Sequence, residues 1–164
     1  MRKTIKRACL VLATFSMVAG SFGVADAVPF RKPNSVVNIG YDRGGEIITY
    51  AIKMKRLEES GSSVRFTGSC QSACTLYLAI PSSRACLTQG ATFGFHLPYG
   101  STARGNKVAA QYLLRNYPGW VRSWISANGG LSSGMKTMRY EYASKFIKPC
   151  QPTRTASSGF FRTI

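Results

Sequence analysis

The sequence predicts an α/β domain built around a mostly parallel sheet. Short apolar or alternating segments, which are typical of strands, occur at residues 36–39, 64–66, 85–87 and 91–95. A segment with the three- and four-residue apolar spacing of a helix, residues 46–60, separates the first two of them. Strands that alternate with helices are joined most readily as parallel neighbours, so this order favours parallel strands with right-handed crossover helices.

Glycine bounds the first predicted strand and precedes the first predicted helix. Gly40 follows the strand, and the pair Gly44 and Gly45 marks a tight turn before the helix. The helix ends near Ser60 and has one apolar face. That face comprises Ile47, Tyr50, Ala51, Met54 and Leu57.

The later elements follow the same rules. After the strand at residues 64–66, a glycine turn leads into a compact helix over residues 72–80, which Pro81 ends. The three residues between the segments 85–87 and 91–95 fit either a hairpin or a bend that is not a hairpin. Three further helices are predicted, over residues 107–116, 120–125 and 135–147.

The N-terminus has the three parts of a secretory signal peptide. A basic start precedes a short apolar stretch, and an Ala-x-Ala motif formed by Ala25 and Ala27 predicts cleavage after residue 27. We therefore expect a signal peptide at residues 1–27, a single α/β domain at 28–150 and a disordered tail at 151–164. An exported protein, either periplasmic or secreted, is the predicted location.

Four cysteines lie beyond the predicted cleavage point: Cys70, Cys74, Cys86 and Cys150. An even number in an oxidising compartment predicts two disulfides, and the sequence leaves three pairings open. We favour the pairs Cys74 with Cys86 and Cys70 with Cys150. The spacing does not match the paired short spacings of zinc sites, and no Cys-x-x-Cys redox motif occurs, so we expect no metal.

The chain is strongly basic, with 22 Lys and Arg against 6 Asp and Glu and a formal net charge of +16. This charge favours anionic neighbours, such as an anionic envelope polymer or a lipid surface. A specific nucleic-acid partner is not expected, because no basic block and no repeat of basic and aromatic residues occurs. A solvated basic surface without a specific partner is an equally good interpretation.

Ser72 and His96 have the residue types of a nucleophile and its general base. Ser72 opens a predicted helix, where free backbone amides and the helix dipole favour developing negative charge, and His96 ends a predicted strand. Gly44 and Gly45 could bring backbone amides close to an oxyanion. Taken one by one, these residues are also explained as a helix-capping serine, a packed histidine and an ordinary turn.

Three segments together resemble the ClpP-like serine peptidase branch of the ClpP/crotonase superfamily: residues 42–45 (DRGG), 68–76 (GSCQSACTL) and 93–98 (FGFHLP). More narrowly, they are similar to a group of small exported bacterial ClpP-like proteins. The resemblance covers residues 36–98 and implies a ClpP/crotonase-like fold, reduced at its N-terminal side. It implies that Ser72 is the nucleophile and His96 the base.

The resemblance also implies that the amides of Gly45 and Ala73 form the oxyanion hole. Where the family has a small residue before the nucleophile, this chain has Gln71, and Arg43 precedes the glycine pair. The third member of the triad is open: Glu141 is the only carboxylate after the histidine, Asp42 is a second candidate, and a dyad without an acid is a further alternative.

The function that we expect is an exported serine hydrolase that acts on a peptide or another carbonyl substrate and needs no cofactor. The alternative is a non-catalytic, disulfide-stabilised exported protein that binds anionic components of the cell envelope. Replacement of Ser72 would abolish the activity of the first and leave the second unchanged, whereas salt would weaken binding by the second. The sequence leaves the substrate and the oligomeric state open.

Overall fold

A computed structural model describes residues 35–151 of the chain. The predicted signal peptide, residues 1–27, lies outside the described residues, as does the predicted tail from residue 152 onward. Within the described part of the chain, no helix is both long and apolar enough to cross a membrane.

Five strands form one sheet in the described region, and the parallel pairs dominate it. β2 pairs in parallel with β1, β3 and β4, while β5 is antiparallel to β4 at one edge. The α/β class with a mostly parallel sheet is therefore confirmed. The strands are β1 Val36–Asp42, β2 Ser63–Gln71, β3 Ala85–Leu87, β4 Thr92–Phe95 and β5 Lys136–Arg139.

Helices connect the parallel strands. α1 (Ile47–Glu59) joins β1 to β2, and a 3₁₀ helix, Ser72–Ala79, follows β2 directly and is called the Ser72 helix below. β3 and β4 both run parallel to β2, so the segment between them is the bend rather than the hairpin. The other helices are the 3₁₀ turn Ser82–Arg84, α2 Ala103–Asn116, α3 Gly119–Ala127 and the short α4 Tyr140–Ala143.

β2 is the centre of the core because its apolar residues alternate with polar ones. Val64, Phe66 and Cys70 are buried, and the Phe66 ring meets Phe93 of β4 edge-on with 5.0 Å between centroids. Burial of each large apolar side chain stabilises the fold by about 1.5–3 kcal/mol. The candidate site lies at the C-terminal end of this buried strand.

The strand predicted at residues 36–39 continues to Asp42, past Gly40. A register shift between Ile39 and Tyr41 lets β1 pass this glycine and keep pairing with β2. A Cβ at the facing Gly68 would lie 1.7 Å from the Gly40 carbonyl oxygen, so the two backbones meet where only glycine fits. The longer strand carries the chain directly to the glycine pair.

The helix predicted over residues 135–147 is wrong in its first half. Residues Lys136–Arg139 form β5, and only Tyr140–Ala143 are α-helical. Met138 is fully buried opposite Phe93 in the antiparallel pair with β4. Pairing with an existing strand outweighs the weak helical preference of this segment.

The disulfide pairing that we favoured is also wrong. Cys70 pairs with Cys74, with 5.4 Å between their Cα atoms, and Cys86 pairs with Cys150, with 4.8 Å between theirs. The second pair forms because Pro149 bridges to Leu87 of β3, which brings the C-terminal segment beside that strand. This long-range register has no signal in the cysteine spacing.

Candidate functional site

The turn from β2 into the Ser72 helix has a strained backbone at Ser72. Its φ is 55°, and Ser72 is the sole non-glycine residue with positive φ among residues 35–151. A side chain in this left-handed region costs about 1–3 kcal/mol and persists only where the surroundings enforce it. A strained serine between a strand and a helix is the geometry that exposes the hydroxyl of nucleophilic serines.

Two sets of contacts enforce this conformation. The disulfide between Cys70 and Cys74 spans the turn, and both cysteines are fully buried. The Thr75 hydroxyl donates a hydrogen bond to the Ser72 carbonyl oxygen at 2.5 Å. Because the Thr75 proton is used in that bond, the Thr75 oxygen accepts from the Tyr117 hydroxyl, also at 2.5 Å. Burial raises the pKa of Tyr117, which keeps this hydroxyl a proton donor.

Sequence reasoning missed both Thr75 and Tyr117. A hydroxyl residue three positions after Ser72, able to bond back to its carbonyl, is a local signal that could have identified Thr75. Tyr117 is 42 positions further along the chain, and nothing in the pattern indicates the contact.

The glycine pair packs directly against this turn. Gly44 has φ +77°, and a Cβ there would lie 2.4 Å from the Gln71 carbonyl oxygen and 2.8 Å from the Ala73 nitrogen. The Asp42 carboxylate accepts from the Gly44 amide at 2.8 Å and from the Tyr50 hydroxyl at 2.6 Å. Asp42, the second candidate for the triad acid, thus contributes to the shape of the glycine turn.

The predicted oxyanion donors are the amides of Gly45 and Ala73, and Gly44, which precedes Gly45, packs against the Ala73 nitrogen. The Gly45 N–H has no acceptor among the described residues. The Ala73 N–H belongs to the first turn of the Ser72 helix, where amides have no partner within the helix. Two such donors beside a serine hydroxyl can bind an oxyanion.

His96 directly follows β4, and a backbone contact sets the tautomer of its ring. Its Nδ1 lies 2.6 Å from the Leu97 carbonyl oxygen. A carbonyl oxygen can only accept, so Nδ1 carries the proton and Nε2 of the neutral ring has the free lone pair. The ring also packs against Tyr99, with 5.4 Å between centroids.

One cleft of about 1240 Å³ is lined by several of the predicted site residues. Ser72, His96, Gly44 and Gly45 all line it, and its walls include residues of α1 and α2. No hydrogen bond joins the Ser72 hydroxyl to the imidazole within the described region. Catalytic hydrogen bonds often form fully only in the substrate complex, so the shared cleft is the relevant observation.

Glu141 is not brought to this cleft. It follows β5, whose end pairs with Thr92 at the start of β4, whereas His96 follows the other end of β4. Glu141 lines a separate, smaller cavity. Among the described residues that line the main cleft, the single carboxylate is Glu46, which accepts from the Thr49 hydroxyl at 2.9 Å.

The strained backbone at Ser72 is expected to lower the free energy of unfolding while it exposes the serine hydroxyl. We expect Ser72→Gly to raise the free energy of unfolding by about 0.5–1 kcal/mol, because glycine adopts positive φ freely. Ser144→Gly is the matched control: its φ is −64°, so the same replacement should destabilise by about 0.5–1 kcal/mol. Urea unfolding measures both. If the two variants lowered the free energy of unfolding equally, the backbone at Ser72 would not be strained.

Comparison with family models found none that matches this chain, and comparison with curated proteins found no match. Among solved structures, the chain is similar to a ClpP1 mutant from Listeria monocytogenes. The identity is 17%, the match covers 69% of this chain and 70% of that chain, and the TM-score is 0.42. A likeness this distant does not bear on the chemistry of the site.

Proposed function

We propose that this protein is a serine hydrolase that acts on peptides or other carbonyl substrates. The observation that carries the proposal is the strained Ser72 turn, which opens into the same cleft as His96 and the glycine pair. Strain of this kind is concentrated at functional sites, and a capping serine does not require it.

In the proposed reaction, the Ser72 hydroxyl attacks the substrate carbonyl carbon while Nε2 of His96 accepts the hydroxyl proton. The carbonyl oxygen becomes an oxyanion, which the amides of Gly45 and Ala73 stabilise. The imidazolium returns its proton to the leaving group as the bond breaks, which leaves an acyl-enzyme. Water, activated by the same ring, releases the acid and restores the serine.

The proposed catalytic unit is a dyad. In a triad, the acid holds the imidazole in the tautomer that leaves Nε2 free. Here the Leu97 carbonyl supports the same tautomer through Nδ1. A neutral carbonyl stabilises the imidazolium less than a carboxylate does, so we expect a slower enzyme than one with a complete triad.

The walls of the cleft indicate which substrate groups fit. α1 contributes Ile47 and Ala51, and α2 contributes Val108, Ala109 and Tyr112. These side chains provide apolar surface in the cleft that Ser72 also lines, which suits an acyl group with an apolar side chain.

Export is part of the proposal. The predicted signal peptide supports it, and the two disulfides in the described region are typical of proteins from oxidising compartments. The nucleophile turn itself contains one of these disulfides, so we expect the active form to be the oxidised, exported one.

A fluorophosphonate probe tests the proposal, because such probes react with activated serines. We expect the folded protein to be labelled, and labelling to be lost in Ser72→Ala and slowed at least about 100-fold in His96→Ala. Ser101→Ala is the matched control, because this serine lines the same cleft and has no proposed role. Its labelling should equal that of the unaltered protein.

Two outcomes would reject the hydrolase. One is the absence of labelling in protein that circular dichroism shows to be folded, under conditions where a known serine hydrolase reacts. The other is labelling that persists unchanged in Ser72→Ala. The first result would favour a non-catalytic binding protein, and the second would mean that a residue other than Ser72 reacts with the probe.

A further inference from the structure

Exposed apolar side chains are concentrated around the cleft. Of the nine exposed large apolar side chains in the described region, five line this one cleft. We call these five the apolar rim. They are Ile48, Ile52, Tyr99, Val108 and Met135.

The apolar rim is well exposed to solvent. Ile48 is 66% exposed, Val108 53% and Tyr99 83%, and they come from α1, α2 and the segment between β4 and α2. Exposed apolar side chains grouped around one cleft are typical of a site that binds another apolar phase or molecule.

Cations lie among the apolar rim. Arg43 and Lys55 line the cleft, and Arg104 precedes Val108 by one helical turn and is therefore on the same face of α2. Among residues 35–151 the sole ion pair joins Lys55 to Glu58, so Arg43 and Arg104 have no carboxylate partner there.

We propose that the apolar rim binds the surface of an anionic lipid bilayer. A bilayer offers both features that this surface would complement: acidic headgroups for the arginines and an apolar layer beneath them for the isoleucines. Tyr99, with an apolar ring and a polar hydroxyl, suits the boundary between the two layers. An acidic peptide would match the charge, but it would leave much of the apolar rim exposed.

The net charge of the chain argues against a second copy as the occupant. From residue 28 onward the chain has 18 Lys and Arg against 5 Asp and Glu, so two copies would repel each other as their like-charged cleft faces approached. The bilayer proposal goes beyond the hydrolase function and does not depend on it. If both hold, the cleft opens toward the membrane, and the substrate is a group presented at the lipid surface.

Co-sedimentation with vesicles tests the proposal on the chain from residue 28 onward, because the predicted signal peptide would bind lipid by itself. We expect binding to vesicles that contain phosphatidylglycerol and at least tenfold weaker binding to vesicles of phosphatidylcholine alone. The Ile48→Ser/Ile52→Ser double variant should bind the anionic vesicles at least tenfold more weakly. Arg104→Gln should bind them about fivefold more weakly.

Val36→Ser is the matched control. Val36 is 58% exposed but starts β1, at the end of that strand away from the glycine pair. Its replacement should leave vesicle binding unchanged. Circular dichroism and thermal unfolding of each variant establish that the exposed replacements leave the fold intact.

Three outcomes would overturn the proposal. The first is a failure of the unaltered protein to bind anionic vesicles. The second is vesicle binding that the isoleucine replacements leave unchanged, because charge alone would then explain the binding. The third is that the isoleucine replacements abolish a dimer seen by analytical ultracentrifugation, or abolish binding to polyglutamate, but leave vesicle binding unchanged. Fluorophosphonate labelling of the same samples separates this result from failure of the hydrolase proposal.

Discussion

The Gly44→Ala variant is expected to lose fluorophosphonate labelling and about 2–5 kcal/mol of its free energy of unfolding. The methyl group would lie 2.4 Å from the Gln71 carbonyl oxygen and 2.8 Å from the Ala73 nitrogen. These are backbone atoms, which cannot move aside as a flexible side chain can. The positive φ adds about 1–2 kcal/mol, and the overlap adds about 1–3 kcal/mol.

A second glycine distinguishes the cost of the positive φ from the cost of the steric overlap. Gly130 has φ +73°, close to the +77° of Gly44, but a Cβ there would have nothing within 4 Å. Gly130→Ala should therefore cost about 1–2 kcal/mol and retain labelling. Urea unfolding and the labelling rate of both variants measure the difference. Equal effects of the two replacements would mean that the packing of Gly44 on the Ser72 turn is not what shapes the site.

Removal of the disulfide between Cys86 and Cys150 is expected to lower the free energy of unfolding by about 4 kcal/mol. The bridge closes a loop of 64 residues, and its loss restores that conformational freedom to the unfolded chain. The Cys86→Ser/Cys150→Ser double variant, compared with the unaltered protein by urea unfolding, measures the effect. We expect the folded fraction of this variant to be labelled normally, because neither cysteine lines the cleft.

The other disulfide should behave in the opposite way. Cys70 and Cys74 are only four residues apart, so the same entropy relation gives about 2 kcal/mol for the loss of their bridge. Because this bridge spans the Ser72 turn, the Cys70→Ala/Cys74→Ala double variant should be labelled more slowly than the unaltered protein. A double variant that labels at the normal rate would show that hydrogen bonds alone hold the turn.

Local pattern was sufficient to predict most of the strands and the residues around the cleft. Glycine at positions 44 and 45, serine at the start of a helical segment and histidine after a strand are each visible within a few residues. The sheet then brings them together, because the carboxyl ends of the parallel strands β1, β2 and β4 meet at one edge.

What the sequence could not show depends on contacts between distant segments. β5 forms because Met138 has a place opposite Phe93, and a four-residue segment does not indicate its partner strand. The disulfide between Cys86 and Cys150 depends on the position of Pro149 beside Leu87. The role of Glu141 was proposed from its position after His96, whereas pairing in the sheet puts it at the other end of β4.

The most direct test of the central claim is a crystal structure of the protein after reaction with a fluorophosphonate. We expect a phosphorus atom bonded to the Ser72 oxygen. We also expect a phosphoryl oxygen within about 3 Å of the amide nitrogens of both Gly45 and Ala73, with Nε2 of His96 facing the adduct. An unmodified Ser72, or an adduct whose phosphoryl oxygen points away from both amides, would contradict the proposed mechanism.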